Sequence, residues 1–298
     1  MIVKLKPALK SYIWGGTALV EKYNKRTSLR SVAESWELSL HNDGLSVVDG
    51  GEFDGRYLRD AVSADDLGSN VEKFSLFPVL VKLIDSARPL SVQVHPDDGY
   101  ASKNEGQLGK TEMWHILDAK AGAYVYLGTN RDVSSEEFAS AVADNTVCDV
   151  LNRVEVAVGE TYFIPSGTLH AIGEGVTLIE VQQNSSLTYR VYDYDRVDAN
   201  GSKRELHISK ARDVANLTRY CVPSPSRSEL LGKCDYFAAY KYVGERKLFL
   251  PDSFCSITAV DGSVAVNDVV LRQGETAFVS AGERATVTGG AYVLVCVE

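Results

Sequence analysis

The sequence predicts a mainly β protein built as two small β-barrels, and three observations lead there. From Val154 to Tyr194, short alternating strands succeed one another between turns rich in Gly and Pro. Beyond the linker candidate Val222-Pro223-Ser224-Pro225-Ser226, residues 234–298 read as short Val-, Ala- and Thr-rich strands with Gly turns. Finally, Gly159–Gly167 (GETYFIPSG) is echoed by Gly274–Gly282 (GETAFVSAG), as expected of two barrels of common design. The expected division is residues 1–220, with a short helical insertion at about 132–152, and residues 221–298.

Taken in order, Gly15-Gly16 makes a turn, and Thr17–Tyr23 reads as a short helix. Ser35–Leu40 alternates apolar and polar residues, the mark of a half-buried strand. Arg56–Ser69 reads as a helix stopped at Gly68. Phe77–Ile84 (FPVLVKLI) has the composition of a buried strand, interrupted only by Lys82. A lysine kept inside such a strand needs a negative or functional partner. Leu90–His95 is the next strand, closed by the Pro96-Asp97-Asp98-Gly99 turn. Tyr100–Gly109 follows as a polar loop, and Thr111–Leu117 resumes the strand pattern. Ser134 with Glu137 three residues on predicts a helix start, running toward Leu151. Leu206–Leu217 reads as a connecting helix.

Composition narrows the function. The chain has 298 residues, 45% hydrophobic and 24% charged, which suits a globular protein of two domains. A formal net charge of −9 argues against nucleic acid and anionic membrane surfaces as partners. Five widely spaced cysteines without a CxxC pair, and an N-terminus without a long apolar core, predict reduced thiols and a cytoplasmic location. Monomer and homodimer both remain open.

The chemistry concentrates around a few residues. His170 directly follows the turn Ile164-Pro165-Ser166-Gly167, and Gln93 and His95 are two apart on one strand. Lys110 and Glu112 are likewise two apart. If these segments line one barrel, Gln93, His95, Glu112 and His170 converge on an interior point. Two imidazoles, a carboxylate and an amide oxygen suit a divalent first-row ion, Zn²⁺ first and Fe²⁺, Mn²⁺ or Co²⁺ next, at one per chain. The second copy of the repeat has Ala285 where the first has His170, so the C-terminal barrel is expected to be metal-free. Lys82, Lys110 and Arg190 would surround the ion, and Glu180 could orient a ligand or a cation. Three cations and a metal in an acidic protein make a focused site for a phosphate monoester. His41, His115 and His207 read as structural histidines.

The run Gly, five residues, Pro, one residue, Gly, two residues, His, from Gly159 to His170, is similar to a pattern of the cupin superfamily of jelly-roll-like barrels. The motifs Tyr12–Gly16, Glu34–Ser39, Pro89–Pro96, Gly109–Trp114 and Pro165–Arg196 together resemble type I mannose-6-phosphate isomerases (phosphomannose isomerases) of the short bacterial form. The resemblance covers essentially the whole chain. It implies zinc on Gln93, His95, Glu112 and His170, an essential Arg190, and substrate-binding or acid–base roles for Lys82 and Lys110. Ser91, within the Pro89–Pro96 motif, joins the substrate-binding set. It also implies two cupin barrels, with the helical insertion reduced to about Ser134–Asn152. The implied reaction interconverts D-mannose 6-phosphate and D-fructose 6-phosphate through a cis-enediol. Many members carry an acidic residue where this chain has Ser186, so the base falls to Lys82, Lys110, Glu180 or a metal-bound water, or the acidic residue is not the base. The rival readings are a cupin isomerase or epimerase of another sugar phosphate, such as glucose 6-phosphate, and a non-catalytic sugar-phosphate-binding cupin.

Overall fold

The computed structural model describes residues 1–197 and 201–298. Its strands in the first half are β1 (Ile2–Lys6), β2 (Ala8–Lys10), β3 (Glu34–Leu38), β4 (Val47–Asp49), β5 (Val79–Ser86), β6 (Val92–Val94), β7 (Glu112–Ala119) and β8 (Tyr124–Thr129). Next come β9 (Leu151–Glu155), β10 (Thr161–Ile164), β11 (His170–Ile172), β12 (Val176–Gln183) and β13 (Tyr189–Tyr192). The C-terminal strands are β14 (Leu230–Lys233), β15 (Ala238–Val243), β16 (Arg246–Phe249), β17 (Cys255–Val266), β18 (Val269–Leu271), β19 (Thr276–Val279) and β20 (Arg284–Cys296). The α-helices are short: α1 (Ala18–Glu21), α2 (Leu58–Ala61), α3 (Ala64–Leu67), α4 (Asp98–Glu105), α5 (Ser135–Ala143) and α6 (Ile208–Val214). Among the described residues no helix is long and apolar enough to cross a membrane.

These strands pair into three antiparallel sheets rather than closed barrels. A six-stranded sheet runs β10-β7-β12-β5-β3-β2, and a five-stranded sheet runs β13-β6-β11-β8-β9. They face each other across a core that includes Ile84, Trp114 and Leu178 from the first and Val125, Leu127 and Ile172 from the second. The back of the five-stranded sheet packs Val92, Val94 and Val191 against Phe138 and Ala141 of α5 and Ala211 of α6. Helix α5 is the expected insertion, started where Ser134 Oγ accepts the Glu137 amide hydrogen.

The third sheet has nine strands, along β14-β15-β20-β17-β19-β1-β4, with β16 on β20 and β18 on β17. It encloses an apolar cluster including Ile257, Leu271, Val287 and Tyr292. Its other face meets the back of the six-stranded sheet, where Val79, Val81, Leu83 and Ile179 touch Phe278, Val293 and Val295. Strands β1 and β4 belong to the N-terminal part of the chain yet pair within this sheet, β1 against β19 and β4 against β1.

Burial on both faces explains why β5 is buried at every residue and why β3, expected to be half-buried, is nearly so throughout. The Arg56–Ser69 helix is instead two single turns, α2 and α3, broken where Val62 turns extended. Gly68, at φ +86°, ends the second as expected. The Tyr100–Gly109 loop is instead mostly helix α4, because Asp97 caps it by accepting the Tyr100 amide hydrogen. The echoed motifs share their backbone. Gly159 and Gly274 sit at φ +86° and +87°, and Gly167 and Gly282 at +81° and +72°, around strands β10 and β19.

Candidate active site

Two rows of paired residues, one on each facing sheet, build the site. On the six-stranded sheet, Trp36, Lys82, Glu180 and Trp114 stand opposite one another across β3, β5, β12 and β7. Two residues back along β7, Glu112 pairs with Gln182 and points to the same side as Trp114. On the five-stranded sheet, Gln93 of β6 lies between Arg190 of β13 and His170 of β11. The turn before β11 sets the last of these, for Gly167 at φ +81° donates its amide hydrogen to His95 O at 2.8 Å. That bond ties the segment bearing His170 to the segment bearing His95.

The structure therefore brings His95, Glu112 and His170 together, with their donor atoms all within 4.8 Å of one another and each residue buried. His170 Nδ1 lies 2.8 Å from Thr168 O, and His95 Nδ1 lies 2.7 Å from Leu187 O. A carbonyl only accepts, so each Nδ1 carries its proton and each Nε2 turns a lone pair inward. Burial and then Lys110 push the His170 pKa down to about 4, and burial followed by Lys110 and His170 drives His95 well below its ordinary value. Both rings are neutral. His170 Nε2 faces Glu112 Oε1 at 3.3 Å, and that oxygen is buried without a hydrogen-bond partner. Lone pairs gathered at an orphaned carboxylate oxygen fit a bound cation. Gln93 Nε2 lies 3.4 Å from His170 Nε2, so rotating that amide would bring its oxygen to the same point.

Cations and carboxylates alternate around this group. Lys110 Nζ is 3.1 Å from His95 Nε2 and donates to Glu112 Oε2. Lys82 Nζ lies 3.2 Å from Glu180 Oε1 and 3.6 Å from Glu34 Oε2. Burial alone would discharge Lys82, but Glu34 and Glu180 outweigh it and raise its pKa. Burial likewise opposes the Glu180 charge, yet Lys110 and Lys82 prevail and bring its pKa down to about 2. Trp114 Nε1 also donates to Glu180 Oε2 at 2.9 Å, and Trp36 Nε1 to Glu34 Oε2 at 2.7 Å. Arg190 stands apart from these pairs, with Nε 3.3 Å from Ser91 Oγ and Nη1 2.9 Å from Glu205 O.

Above the donor group opens a cavity of about 570 Å³ lined by Lys82, Ser91, Gln93, Lys110, Glu180 and Arg190, with Ser186 and Thr188 beside them. Every candidate singled out in the sequence thus lies in the cavity wall or in the donor group at its floor. Glu34, Trp36, Lys10 and Arg204 also line it and were missed. Glu34 could have been found, since it shares a strand face with Trp36 and Lys82 required a negative partner. His115 bonds Thr161 Oγ1 at 2.8 Å, His207 accepts the Arg190 amide hydrogen at 3.2 Å, and His41 stands edge-on to Trp36.

Facing β-sheets with buried histidines and a carboxylate at the floor of an open cavity place the molecule among the metal-binding cupins. The catalytic-domain model of type I phosphomannose isomerases matches residues 2–116. A mannose-6-phosphate isomerase of Streptococcus mutans is 35% identical over 284 residues, covering 91% of this chain and 90% of that one. One from Bacillus subtilis is 37% identical over 268 residues, covering 86% and 84%. The crystal structure of a Bacillus subtilis mannose 6-phosphate isomerase superposes with a TM-score of 0.87 at 34% identity, covering 100% of this chain and 99% of that one. The chain belongs to the type I phosphomannose isomerases, and it is an enzyme.

Proposed function

We propose that this enzyme interconverts D-mannose 6-phosphate and D-fructose 6-phosphate, with one Zn²⁺ held by Gln93, His95, Glu112 and His170. The observation that carries the reading is the orphaned Glu112 oxygen facing two inward lone pairs under a cation-lined cavity. When bound there, a divalent ion supplies Lewis acidity to the oxygens of the substrate. Everything else falls to the side chains.

Isomerisation moves a proton from C2 to C1 through a cis-enediol, so the site must hold the sugar, carry a proton and meet developing negative charge. Lys82, kept protonated by Glu34 and Glu180, holds a sugar oxygen as a fixed donor. Glu180 is a poor base, because two lysines and Trp114 already occupy its oxygens. Its task is to position the lysines. Ser186 lines the cavity with a hydroxyl only. The proton transfer then falls to Lys110, which acts as base once it has given up the proton it shares with Glu112, its Nζ 3.1 Å from His95 Nε2 and 3.8 Å from Glu180 Oε1. Arg190, opposite Gln93 and without a carboxylate partner among the described residues, meets the charge that appears on the oxygens.

The residues lining the cavity all come from the 1–220 unit. The 221–298 unit serves as a metal-free support, with β1 and β4 lent to its sheet. All five cysteines are unpaired thiols, which supports placing the enzyme in the cytoplasm. The test is turnover of purified enzyme on mannose 6-phosphate and glucose 6-phosphate side by side. Turnover of the first and not the second is expected, and the reverse would overturn the substrate assignment.

A further inference from the structure

The ends of the cavity differ in charge. At the floor, Lys82 and Lys110 stand against Glu34, Glu112 and Glu180, so the lysines are fully matched. At the mouth the count reverses. Arg196 and Arg204 share one carboxylate, Asp193, while the Arg190 guanidinium, among the described residues, touches only Ser91 Oγ and Glu205 O. Lys10, also in the cavity wall, donates to the carbonyl of Asp43 and lies 4.9 Å from the Trp36 ring centre. Of the wall carboxylates near these groups, Asp43 has the His41 ring at 3.6 Å, and Glu34, opposite Lys10 across β2 and β3, is already taken by Trp36 and Lys82. A surplus of positive charge therefore collects at the mouth of a protein whose net charge is −9.

Within that cluster Arg204 is the group already aimed. Its Nε and Nη2 are fixed to Asp193 at 2.7 and 2.5 Å, and no described residue takes up its Nη1. Arg204 lines the cavity, whereas Arg196 does not; Arg196 Nη1 is spent on Pro89 O at 2.6 Å. After burial, Arg204 is also the strongest influence lowering the pKa of Arg190, which marks the two guanidiniums as close, with Asp193 and Glu205 acting in the opposite direction.

Building on the isomerase reading, we propose that Arg204, held by Asp193 in a cavity wall that Lys10 also lines, is the phosphate anchor, so the substrate binds with its phosphate at the mouth and C1–C2 at the floor. A phosphate dianion suits surplus arginines, and a guanidinium braced on one edge keeps its free edge for the ligand. The floor, with its lysines already matched, is left for the uncharged reacting carbons.

The test compares Arg204→Gln, Arg204→Lys and Arg196→Gln in the holoenzyme, with inorganic phosphate as a dead-end probe. Arg204→Gln should raise both the KM for mannose 6-phosphate and the inhibition constant of phosphate about ten- to a hundredfold, the loss of a charge-assisted contact. Its kcat should stay within about threefold, because uniform binding is what has been removed. Arg204→Lys should recover part of the loss. Arg196→Gln strips the same carboxylate of its other partner and should leave both constants unchanged. Unchanged constants in Arg204→Gln, or an equal effect from Arg196→Gln, would overturn the proposal. Calorimetric binding of phosphate to wild type and Arg204→Gln reads the anchor without turnover. An inactive wild type that still loses phosphate on this change would sink the isomerase reading and spare the anchor.

Discussion

Replacing Arg190 by Lys keeps the charge and removes the fork, which isolates geometry from electrostatics. In the wild type Nε reaches Ser91 Oγ at 3.3 Å and Nη1 reaches Glu205 O at 2.9 Å. A single ammonium can keep one of those contacts, and then cannot present paired donors to vicinal oxygens. The charge it should meet exists only as the enediolate forms, so its loss falls on the transition state. Losing one oxyanion donor costs about 100- to 1,000-fold in rate, or about 3–4 kcal/mol. Initial rates on mannose 6-phosphate should therefore show kcat lower by about two orders of magnitude or more, with KM changed by less than about threefold. Bound metal should stay near that of wild type, because Arg190 contacts none of the donor atoms. If kcat survives and KM alone rises, Arg190 anchors the phosphate and the reasoning fails.

Two further predictions concern groups outside the site. Glu37 is buried, 2.6 Å from Lys25, and bonded by Ser35 at 2.6 Å and by Thr276 of the nine-stranded sheet at 3.1 Å. Glu37→Ala leaves the Lys25 charge buried and unpaired and should cost about 3–5 kcal/mol in urea unfolding; a cost under about 1 kcal/mol would show the pair is dispensable. His115 is neutral in the fold, since burial and then Lys241 push its pKa down to about 3. The unfolded chain binds this proton more readily, so the stability His115 contributes is complete above about pH 6.5 and is lost as pH falls toward 3. By pH 4.5 the loss is about 3 kcal/mol, which His115→Gln should remove; an unchanged acid slope would contradict it.

The site was legible because strand parity is a local property. Gln93 and Glu112 each fall on an inward face that residue spacing alone identifies, and Lys82 announced its need for a carboxylate. That Glu180 answers it depends on the β12–β5 register, which no local pattern encodes. Helix α4 was hidden because Pro96-Asp97-Asp98-Gly99 has turn chemistry, and a capping Asp looks the same at a turn as at a helix start. The pairing of β1 with β19 joins residues nearly a chain length apart, so the shared sheet of the two termini had no sequence signal. Arg204 lies between β13 and α6, outside any strand or helix, where neither periodicity applies. The echo of Gly159–Gly167 in Gly274–Gly282 did carry over, down to the sign of φ at both glycines of each copy.

The central claim is that His95, Glu112 and His170, with Gln93, hold one metal ion on which isomerisation depends. Its most direct test is elemental analysis of chelator-treated and reconstituted enzyme, paired with turnover of mannose 6-phosphate on the same samples. Activity should vanish with the metal and return in proportion to added Zn²⁺, reaching its plateau at about one ion per chain, as one donor set of this kind implies. His170→Ala, folded but metal-poor, should not recover. Full turnover by enzyme shown to be metal-free would contradict the account.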